Sequence, residues 1–577
     1  MIRLFFLFLF LFSLNSFSQT LNLNNPLFEN SLRRAQLNGD ISSNISFTLR
    51  PLDLNNYDVD KNIFDYNHYS PTVLSFFNGN GKLKILPVDF NINFSSHHPY
   101  NRNNGSMITN AGYQQLISAG IFFEIGPLSI QLKPENIYAE NKNYDGFWEG
   151  HYDITWAKRY ILWNRIDLPE RFGEKAYYKT TFGQSSVRLN YKALSIGLSS
   201  ENIWWGPSIR NGVMLSNNAQ GFNHITFNTR RPIKTAIGNF EFQLVTGRLE
   251  PSGFDPPSTD RTNAGTKLFV PKINQNGKTG DWRFFQGYSF TYSPKWISGL
   301  HLGLMRWAQM YGALFEGKYW WINNNPVDDR FNGTSIGWFP IFNNFLRKND
   351  KIEPYEKETD QAAAVFFRWV WEDSKAEIYG EFNYNDAKFN FRDFLSDSDH
   401  SRAVTLGIHK LFDSKKDDSQ LEFNWEWTQM EQTASRLVRN AGSWYMHGRV
   451  YHGFTNNGEV MGASIGPGSN SQYFSLAKLD GNQRLGAALE IIDQDNDFYY
   501  LAFEDSKDFR RYWKDYNLHL FYEKKFKNFW GSFNMMYSRS LNYQWELLHN
   551  PSLPYYQPGR DVNNFFIDFK LTYPLKF

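Results

Sequence analysis

Apolar and polar residues alternate with a period of two along most of this 577-residue chain. At its end, Phe565, Ile567, Phe569, Leu571, Tyr573, Leu575 and Phe577 fall on one face of an extended backbone, while Asn564, Asp568, Lys570, Thr572 and Lys576 fall on the other. A tilted strand of roughly 9 to 11 residues crosses a bilayer, and only a closed barrel pairs all its backbone polar groups there. The stretch therefore predicts the closing strand of an outer-membrane barrel. The alternative is an edge strand of a soluble β-sandwich.

The same alternation recurs upstream. Asn25-Pro26 reads as a cap followed by a first-turn proline, and Phe28, Leu32 and Ala35 predict a short amphipathic helix over 26–37. Ile45, Phe47 and Leu49 predict a first strand ending at Pro51. Strands follow around Val88–Phe94, Leu128–Leu132, Val187–Tyr191, Phe240–Leu244, Tyr288–Tyr292, Val365–Trp371 and Ile378–Tyr384. Others lie around Val404–Ile408, Leu421–Trp427, Leu485–Ile491, Leu518–Tyr522 and Phe529–Tyr537. Leu421, Phe423, Trp425 and Trp427 oppose Glu422, Asn424, Glu426 and Thr428, a pattern that a sandwich and a barrel would orient in opposite senses. The number of segments, roughly 16 to 18, with no linker between them favours one barrel. Dipeptides such as Asn78-Gly79, Asn211-Gly212, Asn276-Gly277, Asn332-Gly333 and Asp480-Gly481 mark turns. Long connections near 141–181, 251–281, 312–359, 430–472 and 541–560 alternate with short ones, the outer-membrane arrangement. The fold expected is all-β: a transmembrane outer-membrane β-barrel of about 18 antiparallel strands with a short N-terminal helix and long extracellular loops.

Composition sharpens this. Aromatic residues make up 18% of the chain, more than an ordinary core needs, and suit interfacial girdles or sugar-binding grooves. Met1–Ser18 carries Arg3, an apolar run and small residues at Ser16 and Ser18, and reads as a secretory signal peptide, leaving 19–577 as a single barrel domain. Beyond it no apolar run is long enough for a transmembrane helix. With no cysteine there are no disulfides, thiolate sites or lipoprotein anchor. A net charge of +2 gives no general attraction to nucleic acid.

Catalytic and metal motifs are weak. Gly462-Ala463-Ser464-Ile465-Gly466 matches a nucleophile-elbow string, but Pro467 follows where a helix is required. Asp493, Asp495, Asp497 and Glu504 match calcium-loop spacing, but Phe498 stands where glycine is needed and no flanking helices are predicted. Glu422 and Glu426 are about 13 Å apart along a strand, too far for a glycosidase pair. His97-His98, read as strand neighbours, would point apart. No catalytic residue, cofactor or metal is expected. The segment Glu201–Ala219 breaks the alternation and concentrates Trp204, Trp205, Arg210, Asn217 and Asn218. A second patch holds Trp444, Tyr445, His447, Arg449, Tyr451 and His452. Rings stack on the C–H faces of sugars while amides and guanidinium groups bond hydroxyls, so both patches are candidate glycan sites; the alternative is an interfacial aromatic belt.

At these residues the chain resembles the Wzi family of outer-membrane capsule-assembly proteins, particularly its Bacteroidota-type members. The matching stretches are LRRAQLNGDIS with the following RPL, WWGPSIRNGVMLSNNA, HGFTNNGEVMGASIGPGS, LEIIDQDNDFYYLAF and Asn542–Trp545, spread over nearly the whole chain after residue 31. The resemblance implies an 18-stranded barrel occluded by loops and helices, acting as a lectin for capsular or other exopolysaccharide at the cell outer membrane. It implies polysaccharide, outer-membrane lipid and the polysaccharide export machinery as partners of a monomer, and no enzyme activity. The alternatives are a porin or specific channel, and an outer-membrane enzyme acting on lipid or glycan.

Overall fold

The computed structural model describes residues 19–21, 23, 26–53, 69–254, 282–312, 359–385 and 391–575. The leader 1–18, the turns at Asn276 and Asn332, and the terminal Phe577 lie outside the described residues.

Alternation closes the chain into one antiparallel barrel of eighteen strands. In chain order these are β1 (Gly81–Ser95), β2 (Gly112–Ile125), β3 (Leu128–Leu132, resumed at Glu135–Ala139), β4 (Tyr177–Thr181, resumed at Ser186–Tyr191), β5 (Leu194–Ser199) and β6 (His224–Thr229, resumed at Ile233–Lys234). Then come β7 (Gly238–Leu249), β8 (Arg283–Pro294), β9 (Leu300–Tyr311), β10 (Asp360–Trp371), β11 (Ala376–Asn385) and β12 (Arg402–Asp413). The last six are β13 (Gln420–Gln429), β14 (Asn470–Asp480), β15 (Gln483–Asp493), β16 (Lys514–Lys525), β17 (Trp530–Leu541) and β18 (Val562–Tyr573). The break in β3 falls at Pro134, which has no N–H for the ladder. The C-terminal strand closes the barrel on β1, from Phe566 opposite Ser95 to Tyr573 opposite Val88.

The orientation of the two faces separates barrel from sandwich. Leu421 is 45% exposed and Glu422 2%. Along the other strands Leu198, Val365, Leu406, Leu476, Leu485 and Phe565 likewise face outward, and Glu377, Thr405, Thr428, Glu490 and Asn564 face the lumen. A sheet with apolar side chains outside and polar ones inside is stable only against hydrocarbon, so the outward rows are the lipid face.

Within the lumen sit α1 (Pro26–Leu37) and the segment after it. The helix occupies the bounds its periodicity predicts. Leu27, Phe28, Leu32 and Ala35 pack with Ile45, Phe47, Tyr69 and Trp530 at the short-turn end. Its polar face is ion-paired to the wall, Arg33 to Glu377 at 2.9 Å and Arg34 to Glu422 at 3.6 Å. Buried pairs of this kind add little net stability, because the desolvation of both charges offsets their attraction. The strand expected at Ile45–Arg50 is corrected: only Leu49–Arg50 is extended, paired with Trp204–Trp205 inside the barrel. Ile45 and Phe47 alternate because they face the helix, while Ser46 N–H donates to Glu241 (3.3 Å) and Thr48 bonds Thr291 (2.7 Å) on the wall. At the long-loop end, α2 (Asp153–Trp163) and α3 (Asn496–Phe503) bury Trp156, Tyr160, Phe498 and Phe503 with Phe147 and Trp545 in a second small core.

Candidate functional site

The 204–219 segment crosses the lumen because two wall carboxylates collect its backbone donors. Glu426 accepts the N–H groups of Ile209 (2.8 Å), Arg210 (3.1 Å) and Asn211 (2.7 Å), and the Tyr379 hydroxyl (2.8 Å). Glu381 accepts the N–H (3.1 Å) and hydroxyl (2.7 Å) of Ser208. Gly206, at φ +90°, lies so close that a Cβ would stand 2.4 Å from Glu381 Oε1. A backbone that must aim successive N–H groups at a carboxylate cannot keep a strand's period, which is why the alternation fails here.

The predicted site residues consequently separate into four places. Trp205, Trp444, Tyr445 and His452 are fully packed in the interior core. Trp205 Nε1 donates to Gln243 (2.8 Å), the Tyr445 hydroxyl to the Val213 carbonyl (3.0 Å), and His452 Nδ1 meets the Tyr311 hydroxyl at 2.9 Å. Their ring faces are taken up by neighbours. Trp204 lies under the Arg50 guanidinium at 4.7 Å and, with Arg210 and Asn217, bounds an inner cavity of about 230 Å³. Asn218 donates to the Val460 carbonyl (2.9 Å) beside a cleft at the long-loop end. Arg449 is exposed and Tyr451 half-buried, on the loop surface.

That long-loop cleft, of about 230 Å³, brings together groups the sequence left dispersed. Tyr100, Tyr144, Trp163 and Trp513 line it as half-buried rings. Tyr543 stacks on His98 at 4.7 Å and meets the Trp513 ring edge-on at 5.2 Å. Ser464 and Gln544 line the same space, and Ser464 Oγ and Gln544 Oε1 have no hydrogen-bond partner in the protein. Burial lowers His98 to about 3, so its ring is neutral at physiological pH. Burial likewise raises the Glu459 carboxyl, bonded by Thr109 N–H (2.6 Å), to about 7, and Asp497 to about 7. Trp163, Trp513, Tyr543 and Arg102 were not singled out from the sequence. The clustering of Tyr543 and Trp545 in the Asn542–Trp545 match was the available signal for one wall.

Several weak motifs acquire definite structural roles. Asp495 caps α3, accepting Phe498 N–H at 3.1 Å, so the expectation that no helix flanks these acidic residues is corrected. Asp493 pairs with Lys514 and Glu504 with Arg436, away from each other. Among the described residues, no three His, Asp or Glu side chains converge on a metal position. His97 and His98 lie beyond the end of β1, where the chain bends, and their rings meet edge-to-face at 5.4 Å instead of pointing apart. Glu422 is taken by His409 (3.0 Å) and Arg484 (2.5 Å).

The inner cavity adjoins a third, of about 200 Å³, and shares Arg210, Tyr473, Arg484 and Lys570 with it. Arg102 bounds these two and the long-loop cleft alike.

Comparison with known proteins places this geometry. The family model described as capsule assembly protein Wzi matches residues 102–522. The structure of Wzi from Escherichia coli, titled an outer membrane protein involved in group 1 capsule assembly and a carbohydrate-binding β-barrel, is similar in fold. Its TM-score is 0.58 at 11% identity, covering 97% of this chain and 100% of that one. OccAB1 of Acinetobacter baumannii (TM-score 0.36, 9% identity, 88% and 99% covered) and OccK5 of Pseudomonas aeruginosa (0.38, 8%, 87% and 100%) are more distant. No curated protein matches the chain in sequence. With a family model covering most of its length and an eighteen-stranded barrel whose apolar rows face outward, the chain is an outer-membrane protein of the Wzi capsule assembly family.

Proposed function

We propose that this barrel holds capsular or other exported polysaccharide at the cell surface, as a monomeric binding protein without catalytic chemistry that receives the polymer beside the export machinery. The observation that carries the reading is the long-loop cleft, where four half-buried rings surround the partnerless Ser464 Oγ and Gln544 Oε1. Rings without full cover and polar atoms without partners are what a saccharide completes on binding. The E. coli relative's description as carbohydrate-binding supports the same assignment. Ser464 bonds no imidazole or carboxylate, and no strand–turn–helix carries it, so its string supplies no nucleophile.

Deleting the gene and staining for capsule tests the role. Polysaccharide should be lost from the cells into the medium; cell-attached polysaccharide at the wild-type level would sink the proposal. In planar bilayers the protein should be nearly silent, because α1 and the 204–219 and 443–465 segments fill the lumen.

A further inference from the structure

We propose that Arg102 is an anion subsite, which takes an acidic substituent of the polysaccharide whose sugar rings lie in the long-loop cleft; this rests on the function proposed above. Arg102 stands where the cleft and the two inner cavities meet, with its side chain 9% exposed. The other arginines of the inner cavities have carboxylates close by. Arg33 has Glu377, Arg50 has Glu29, and Arg34 and Arg484 share Glu422 and Glu523. Arg33 shares Glu377 with Arg368 but also donates to the Pro207 carbonyl (3.1 Å), whereas Arg102 is held more loosely. Arg210 holds both oxygens of the buried Glu490, each at 2.8 Å, and Arg102 reaches the same carboxylate through one nitrogen at 3.1 Å. Two guanidinium groups thus share a single carboxylate, and the loosely held one borders the open space. The nearby Asp515 is already bonded by Gln494 (2.8 Å) and Trp513 (2.8 Å), and Asp568 lies in an ion pair with Lys570 at 3.8 Å.

The loop also holds Arg102 in place. Asn101 donates to the Met107 carbonyl (2.8 Å), Asn104 to Asn101 (2.8 Å) and Asn103, at φ +52°, to the Arg210 carbonyl (2.8 Å). The Tyr100 ring lies beneath the guanidinium at 5.1 Å. Fixing a guanidinium in advance lowers the entropy lost when an oxyanion binds it, and its fork fits a carboxylate, sulfate or phosphate ester. Loss of Arg102 leaves Glu490 fully held by Arg210, so the barrel does not need this side chain to neutralise its interior.

The test uses the full-length protein in detergent and the surface polysaccharide extracted from the producing cells. Binding is compared for the native polymer, a carboxyl-reduced sample and a sample freed of sulfate and phosphate esters. The expected result is about tenfold weaker binding of whichever sample has lost its anion, with the sample affected naming the group. In Arg102→Gln the native and neutralised polymers should bind alike, at the affinity wild type shows for the neutralised one. Arg102→Lys should retain part of the preference. Should Arg102→Gln fail to fold, salt titration of wild type gives the answer, since only native-polymer binding should weaken as salt rises. Equal binding of all samples by wild type, or a preference that survives in Arg102→Gln, overturns the subsite while leaving the cleft intact. Binding of none of them overturns the function it rests on as well.

Discussion

Two aromatic-rich regions of this molecule, the interior core around Trp205, Trp444 and Tyr445 and the cleft around Trp163, Trp513 and Tyr543, look alike in composition and behave oppositely. In the core each ring is enclosed. Trp307 stacks on Phe454 at 3.9 Å, and the polar atoms of Trp205 and Tyr445 are bonded within the barrel. In the cleft Trp163 and Trp513 are half-covered beside the buried Tyr543, and Ser464 Oγ and Gln544 Oε1 have no partner in the protein. Aromatic density alone therefore does not mark a binding site. What marks one is ring area that the protein itself leaves uncovered, since partnerless polar atoms occur in the core too, at Trp444 Nε1 and Trp307 Nε1.

The contrast is open to direct attack. Trp205→Ala should be the most damaging change, costing about 3 to 5 kcal/mol through the cavity it leaves. Urea unfolding of the detergent-solubilised barrel measures it, and a loss under about 1 kcal/mol would show that the core is not core. Glu426→Ala should follow, on the order of 3 kcal/mol, because three backbone donors and the Tyr379 hydroxyl lose their acceptor in a buried place. The 204–219 segment should then become open to protease.

Next comes pH. Glu459 holds its proton up to about 7 in the folded protein, against 4.5 ordinarily, so the folded state binds more protons than the unfolded one between these values. Stability contributed by this group is therefore complete below pH 4.5 and is lost as pH rises toward 7, by about 2 to 3 kcal/mol. Unfolding curves at mildly acid and mildly alkaline pH should show this fall. Glu459→Gln should reduce it, leaving the part due to the other buried carboxyls, Asp495 and Asp497 among them. A steeper fall in the variant would contradict the assignment.

The smallest expected effect on the fold is the most telling for function. Trp513→Ala should cost clearly less stability than Trp205→Ala, because its ring is only half-buried, and weaken polysaccharide binding about fivefold, near 1 kcal/mol. If it destabilises the barrel as Trp205→Ala does and leaves binding intact, the two regions are the same kind of structure.

Much was legible in the residues before any coordinates. Period-two alternation carried most of the strands, a count of roughly 16 to 18 and the closing strand at the end of the chain, because a sheet with one wet and one apolar face has only that repeat available to it, while β2, β5, β6, β9 and β14 were not singled out. The helix over 26–37 was legible from its cap, its proline and its spacing. Periodicity is a local property, however, and says which residues share a face without saying what the face meets. Ile45 and Phe47 alternate with their neighbours as strand residues do, yet they face a helix inside the lumen. The helices α2 and α3 escaped notice because each lies in a long loop and is held by rings from distant loops, Phe147 and Trp545 among them.

The chain's own pattern of side chains determined many two-faced strands and, through their number, favoured a barrel over a sandwich. Only the tertiary structure decided which aromatics are spent on packing and which are left for a ligand. That division depends on contacts between residues hundreds of positions apart, such as His98 with Tyr543 and Arg102 with Glu490, and no local repeat encodes them.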